Sequence, residues 1–153
     1  MRRRALIGGG IAVSALAAWG FGPPLYYAAI TETRAGAVLS APEALAKVQA
    51  GEILLVDVRR PEEWAATGRP EGSVALDMRR ADFTEELRRI AGGSGKPVAL
   101  ICARGVRSAR VANRLVEAGF TEVSDVAEGM LGSLAGPGWL ARGLPVERPE
   151  AAQ

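Results

Sequence analysis

Cys102 is the single cysteine of a 153-residue chain that contains no histidine. It stands in LICARGVRSAR (residues 100–110), directly after a short apolar run and close to Arg104, Arg107 and Arg110. A thiol becomes a nucleophile only as the thiolate, so the question is what would hold the negative charge. One cysteine allows no internal disulfide, no CxxC redox pair and no cysteine-built zinc or iron–sulfur centre. The lack of histidine removes a Cys-His dyad, a Ser-His-Asp triad and imidazole metal ligands. What is left is an anion cradle. If Cys102–Arg107 lies between a strand and the start of a helix, the N–H groups of Ala103, Arg104, Gly105, Val106, Arg107 and Ser108 converge on the sulfur and on any anion delivered to it. Gly105 gives the turn its backbone freedom, and Arg104 and Arg107 add positive charge. A lone cysteine is more often a small core residue. Two arginines in the turn, hard to bury and unnecessary for packing, weigh the other way.

The elements needed to build that loop are legible on either side of it. VALI at 98–101 reads as a buried strand, and a helix follows the cysteine, with Ala112, Leu115 and Val116 inward and Arg110, Asn113, Arg114 and Glu117 on a solvated face. Upstream, SAPE at 40–43 is a capping box opening a helix to about Gln49, ILLVDV at 53–58 is a β-branched buried run, and a helix begins at Pro61. VAL at 74–76 is a short strand. Asp82 and Glu85 form a second capping box, Phe83, Leu87 and Ile90 keep helical spacing, and Gly92-Gly93 ends that helix. EVSDV at 122–126 is the last strand, and the tail after Pro145 reads as frayed. Strands alternating with helices predict an α/β fold with a mostly parallel sheet covered on both faces. Ligands in such sheets bind at the carboxyl ends of strands, where Asp57, Arg59, Asp77, Cys102, Glu128 and Gly129 all fall. Asp57 and Arg59 either shape the rim of the site or pair with each other and with nearby helix ends.

Charge separates the chain into two parts. The formal net charge is +2, but Arg2, Arg3, Arg4 and Arg34 are opposed near the N-terminus only by Glu32, so the body is close to neutral and gives no support to nucleic-acid binding. After the three arginines no charged side chain occurs from Ala5 to Thr31, a stretch long enough to span a bilayer. The arginines would stay on the cytoplasmic side and the domain would be exported. Trp19, Phe21, Tyr26 and Tyr27, gathered at the distal end like an interfacial aromatic belt, favour an uncleaved anchor on an N-terminal apolar helix. Ala35-Gly36-Ala37 is an A-x-A site for the alternative, a soluble periplasmic protein released by cleavage, and Arg3-Arg4 before a mildly apolar core resembles a twin-arginine signal. The predicted boundaries are a leader and linker at 1–37, a domain at 38–146 and a frayed tail at 147–153.

LLVDVRRPEEW at 54–64, CARGVRSARVANRLVEAGF at 102–120, and VAEGMLGS with WLARGLPV toward the end resemble, in that order, the motifs of the rhodanese-like sulfurtransferases. The resemblance covers about Val38 to Val146. It implies a central five-stranded parallel sheet and Cys102 as the residue that accepts a sulfane sulfur. The chain departs from the family pattern at GRPEG (68–72), where Arg69 stands in place of a structural histidine, and at Gly129-Met130, where a double glycine is usual. The implied reaction moves sulfur from thiosulfate or a similar anion through a Cys102 persulfide to cyanide, a thiol or a protein, with Arg107 and the cradle holding the terminal sulfur. It needs no metal or organic cofactor, because sulfur supplies the electrophile. A phosphatase or arsenate reductase of the related type would need Cys-x5-Arg, hence an arginine at position 108, where this chain has Ser108. A membrane-tethered sulfur carrier or interaction module, which loads for one dedicated partner and does not turn over, is the non-catalytic alternative.

Overall fold

The computed structural model describes residues 25–148. Most of the apolar leader, with Trp19 and Phe21, lies outside the described residues. Among the described residues no helix is long and apolar enough to cross a membrane.

From Ala37 onward, eleven elements follow one another among the described residues: β1 (Ala37–Leu39), α1 (Ala41–Gln49), β2 (Leu54–Asp57), α2 (Pro61–Thr67), β3 (Arg69–Pro70), β4 (Val74–Ala75), α3 (Phe83–Ala91), β5 (Val98–Ile101), α4 (Val106–Glu117), β6 (Val123–Val126) and β7 (Val146–Glu147). Five strands form one sheet in the order β1-β6-β5-β2-β4, every pair parallel. The continuous apolar runs are explained by burial on both faces. On one face Val98, Leu100 and Cys102 pack with Val56, Val58 and the inner residues of α3 and α4, Phe83, Leu87, Val111, Ala112 and Leu115. On the other, Leu55, Ala99, Ile101 and Val126 pack with Ala41 and Ala44 of α1 and with Met130 and Trp139. Strand alternation thus sends the Cys102 side chain to the face covered by α4.

Local signals account for most of the boundaries. The Ser40 hydroxyl accepts from the Glu43 N–H, and the Glu43 carboxylate accepts from the Ser40 N–H at 2.8 Å, closing the expected capping box. Gly92 takes a left-handed φ of 71° and ends α3. At Asp82 the expected cap is not made, because Arg80 captures its carboxylate at 2.8 Å. Val116, expected inward, is 43% exposed and Val111 fills the core in its place. The tail does not fray at residue 147: Val146 and Glu147 form β7, antiparallel to β3, and Glu147 binds Arg69 at 2.5 Å and the Gly72 N–H at 2.8 Å.

The residues before Val38 are packed as well. A short helical segment, 25–29, leads into a strap that packs along α4. Asn113 Nδ2 donates to the Thr33 carbonyl at 3.0 Å and its Oδ1 accepts from the Ala35 N–H at 2.8 Å, while Arg110 Nε donates to Glu32 at 3.0 Å. Arg110 and Asn113, read as part of a solvated face, therefore receive the strap.

Candidate active site

Cys102 follows the last residue of β5, and Gly105 is the N-cap of α4. The intervening turn folds back so that the Gly105 N–H points at Sγ from 3.2 Å and the Ser108 hydroxyl donates to it from 3.4 Å. The amides of Val106, Arg107 and Ser108, in the first turn of α4, have no intrahelical acceptor. The turn requires glycine twice over: Gly105 has a φ of 81°, and a Cβ there would lie 2.3 Å from the Ala127 carbonyl oxygen. Behind it, the Met130 N–H donates to the Cys102 carbonyl at 2.9 Å and the Leu131 N–H to the Ala103 carbonyl at 2.8 Å, which ties the loop to the segment after β6.

Sγ sits at the bottom of a cleft, and the Cys102 residue is 1% exposed. The cleft has a volume of about 360 Å³ and mainly apolar walls. Ala103, Arg104, Val106 and Arg107 line it, whereas Gly105 and Ser108 support the sulfur from behind. Neither arginine donates to Sγ. Arg107 makes a two-pronged pair with Glu63 of α2, at 2.7 and 2.6 Å, and those bonds raise its guanidinium pKa. Burial works to raise the Glu63 carboxyl, but Arg107, the Arg60 N–H and the charge of Arg59 outweigh it and hold the carboxyl below its ordinary value. Arg104 donates to the Gly132 carbonyl at 3.1 Å and lies 5.2 Å from the centre of the Tyr27 ring.

A family model for the rhodanese-like domain matches residues 40–134, more than half of the chain, with this loop inside the match. The chain belongs to the rhodanese-like domain family. No curated protein matches it. Among solved structures, this rhodanese-like chain is similar to the polysulfide-sulfur transferase homodimer of Wolinella succinogenes, at 25% identity over 89% of this chain and 92% of that one, with a TM-score of 0.60. It is similar to Rv0390 of M. tuberculosis at 29% identity, over 76% of this chain and all of that one, with a TM-score of 0.59. A thiosulfate sulfurtransferase from Pseudomonas aeruginosa shares the fold at 24% identity and a TM-score of 0.62; the match spans 76% of this chain and 21% of that one.

Of the other residues at strand ends, none reaches the cleft of this rhodanese-like domain. Asp57 and Arg59 pair with each other: the Arg59 Nη2 donates to Asp57 at 2.7 Å and to the Gly68 carbonyl at 2.7 Å, and Nη1 to Thr67 Oγ1 at 2.8 Å. Both are buried, and they staple the C-terminal end of α2, the helix that carries Glu63, to β2. Asp77 binds Arg79. Glu128 turns to the opposite face of the sheet, where it accepts from the Ala41 N–H at 2.7 Å, the Gly138 N–H at 2.8 Å and Arg142 at 2.8 Å. Four cleft residues have no warning in the loop sequence: Glu63, Tyr27, Ile30 and Leu131. A sequence signal existed for Glu63 alone. It occupies the third position of a helix opened by Pro61, where its carboxylate also accepts the Arg60 N–H at 3.0 Å.

Proposed function

We propose that the protein is a sulfurtransferase that carries sulfane sulfur on Cys102. The observation that supports this most strongly is the position of Sγ: buried, facing the Gly105 N–H and the Ser108 hydroxyl, and open only to a narrow cleft at a helix N-terminus. The Cys102 thiolate attacks the outer sulfur of thiosulfate or a similar donor. An Sγ–S bond forms, the bond to the sulfite sulfur breaks, and sulfite leaves with the electron pair. Cyanide, a thiol or a protein acceptor then attacks the terminal sulfur and takes it, and the electron pair of the Sγ–S bond returns to Cys102 as thiolate. The first-turn amides of α4 and the guanidinium of Arg107 are the groups suited to hold the anionic terminal sulfur. The Cys-x4-Arg spacing supports this reading over phosphoryl transfer.

Steady-state assay with thiosulfate and cyanide tests the proposal. Many turnovers of thiocyanate from the wild type, with none from a folded Cys102→Ser protein, is the expected result. A single equivalent of thiocyanate would instead favour the carrier, and an active Cys102→Ser protein would overturn both.

We further propose that the domain is held on the exported side of the cytoplasmic membrane by its uncharged N-terminal segment. The close packing of Ala35-Gly36-Ala37 supports the anchor over cleavage there: a Cβ on Gly36 would lie 2.1 Å from the Val123 carbonyl oxygen, so the A-x-A site lies against β6. Fractionation that gave a soluble protein beginning at Val38 would refute the anchor.

A further inference from the structure

Behind the cradle lies a buried acid that the reaction as written does not use. Asp125 pairs with Leu100 across β5 and β6, so its side chain emerges on the same face as Cys102, one strand away. It is fully buried, and its Oδ1 accepts no hydrogen bond. Its Oδ2 accepts from Arg34 Nε, and Arg34 comes from the strap that precedes β1. The Ser108 hydroxyl that faces Sγ is also a neighbour of Asp125. An unpaired carboxylate there would oppose formation of the Cys102 thiolate and would compete with it for the single Ser108 proton.

We propose that Arg34 is a positioning residue for the Cys102 reaction: by pairing with Asp125 it cancels a buried negative charge behind the sulfur and leaves the Ser108 hydroxyl to donate to the thiolate. The segment before β1 then belongs to the active site in two ways. Tyr27 and Ile30 form a wall of the cleft, and Arg34 balances its floor. Cleavage at Ala35–Ala37 would remove both. The inference shares with sulfur transfer only the use of Cys102 as the nucleophile.

The other charges around the sulfur are already matched. Arg107 of α4 is paired with Glu63 of α2, and Asp57 of β2 with Arg59. Arg104 of the loop is held by the Gly132 carbonyl and Tyr27, and Glu128 after β6 by Arg142 on the far face. Removing Arg34 therefore uncovers one charge, the Asp125 carboxylate. Burial pushes the Asp125 carboxyl up, while Ser108 and Arg34 pull it back toward the ionised form.

The test is the pH dependence of Cys102 alkylation by iodoacetamide in the full chain, which does not require sulfur transfer. The midpoint of the profile reports the thiol pKa and is independent of how easily the reagent enters the cleft. Charges about 8 Å apart, the spacing of neighbouring strands with a two-residue offset, shift each other by one to two units at an effective dielectric of about 20. Arg34→Gln is expected to raise the midpoint by about one unit, leaving roughly a tenth of the thiolate at a given pH below it. Arg34→Lys should restore most of the shift. The Arg34→Gln/Asp125→Asn double variant should return to the wild-type midpoint, and Asp125→Asn alone should lie at or below it. If Arg34→Gln does not fold, the last two proteins still decide the matter. An unchanged midpoint in Arg34→Gln, a double variant shifted upward from the wild type, or an upward shift in Asp125→Asn would overturn the proposal. A folded chain that shows the expected shifts but makes no thiocyanate would refute sulfur transfer and leave the role of Arg34 standing.

Discussion

Replacing Gly105 with alanine tests whether the cradle is as tightly determined as its geometry requires. Two costs add. An L-residue in the left-handed region, here at φ 81°, costs about 1–2 kcal/mol. The new methyl would also lie 2.3 Å from the Ala127 carbonyl oxygen and 3.0 Å from Arg34 Nη2. That carbonyl cannot give way easily, because it already accepts the Ser133 hydroxyl at 2.9 Å and lies beside Gly129, whose N–H is bonded to Val126. Overpacking of this kind costs about 1–3 kcal/mol. The expected loss is thus about 2–5 kcal/mol, read as a lower urea midpoint at unchanged m-value. Gly51→Ala is the control, since Gly51 has a φ of 70° and a methyl added there would meet nothing within 4 Å, so it should lose only the conformational part. The Gly105 N–H, 3.2 Å from Sγ, must move in the variant, so the alkylation midpoint of Cys102 should rise as well. Equal losses at Gly51 and Gly105, with no change at the thiol, would refute the account of the turn.

Arg59→Ala should destabilise the domain by about 3–5 kcal/mol in denaturant unfolding, since it strands the buried Asp57 carboxylate, and Arg59→Met/Asp57→Asn should recover part of the loss. Arg107→Ala should lower kcat/KM for thiosulfate about tenfold, a charge-assisted contact of about 1.4 kcal/mol, whereas Glu63→Gln, which leaves the guanidinium in place, should not. Stability should also depend on pH with opposed contributions. For Glu128, burial works to raise the carboxyl, but Arg142 and the N–H groups of Ala41 and Gly138 lower it below the ordinary value; Glu63 is lowered in the same sense. Their stabilisation is present above the unfolded value of about 4.3 and is lost as pH falls through the lowered folded values, so the Tm should drop in acid and Glu128→Gln should flatten that limb. Asp125 runs the other way: its raised folded value means that the unfolded chain releases the proton first, and stability declines as pH climbs from about 3.9 toward that value. Asp125→Asn should remove this decline.

The parts of the fold legible in the sequence are those whose signal is local. LLVD and VALI are continuous apolar runs because both faces of the sheet are covered, and Ser40 with Glu43 contains a complete cap within four residues. The loop from Cys102 to Ser108 is likewise readable, since the turn, its glycine and the helix it opens are contiguous. β1 is harder, because at the sheet edge Ala37 and Val38 are exposed and no alternation marks them. β3 and β7 have two residues each and exist through the pairing of Arg69 with Glu147 and Pro70 with Val146, partners distant in the sequence. Glu63 and Arg107 are 44 positions apart, and Arg34 and Asp125 are 91 apart, so nothing local in the sequence joins either pair. The packing of the strap is illegible for another reason. Its tyrosines and uncharged neighbours have the composition of a membrane-proximal segment, and composition does not reveal that Tyr27 stacks on Arg104 or that Asn113 holds Thr33 and Ala35.

Intact-mass measurement after incubation with excess thiosulfate addresses the central claim most directly. The full chain should gain the mass of one sulfur atom, peptide mapping should place it on the fragment containing Cys102, and cyanide should remove it as thiocyanate appears. A chain that gains no sulfur while its thiol remains open to alkylation, or that carries the sulfur on a fragment without Cys102, would contradict the account.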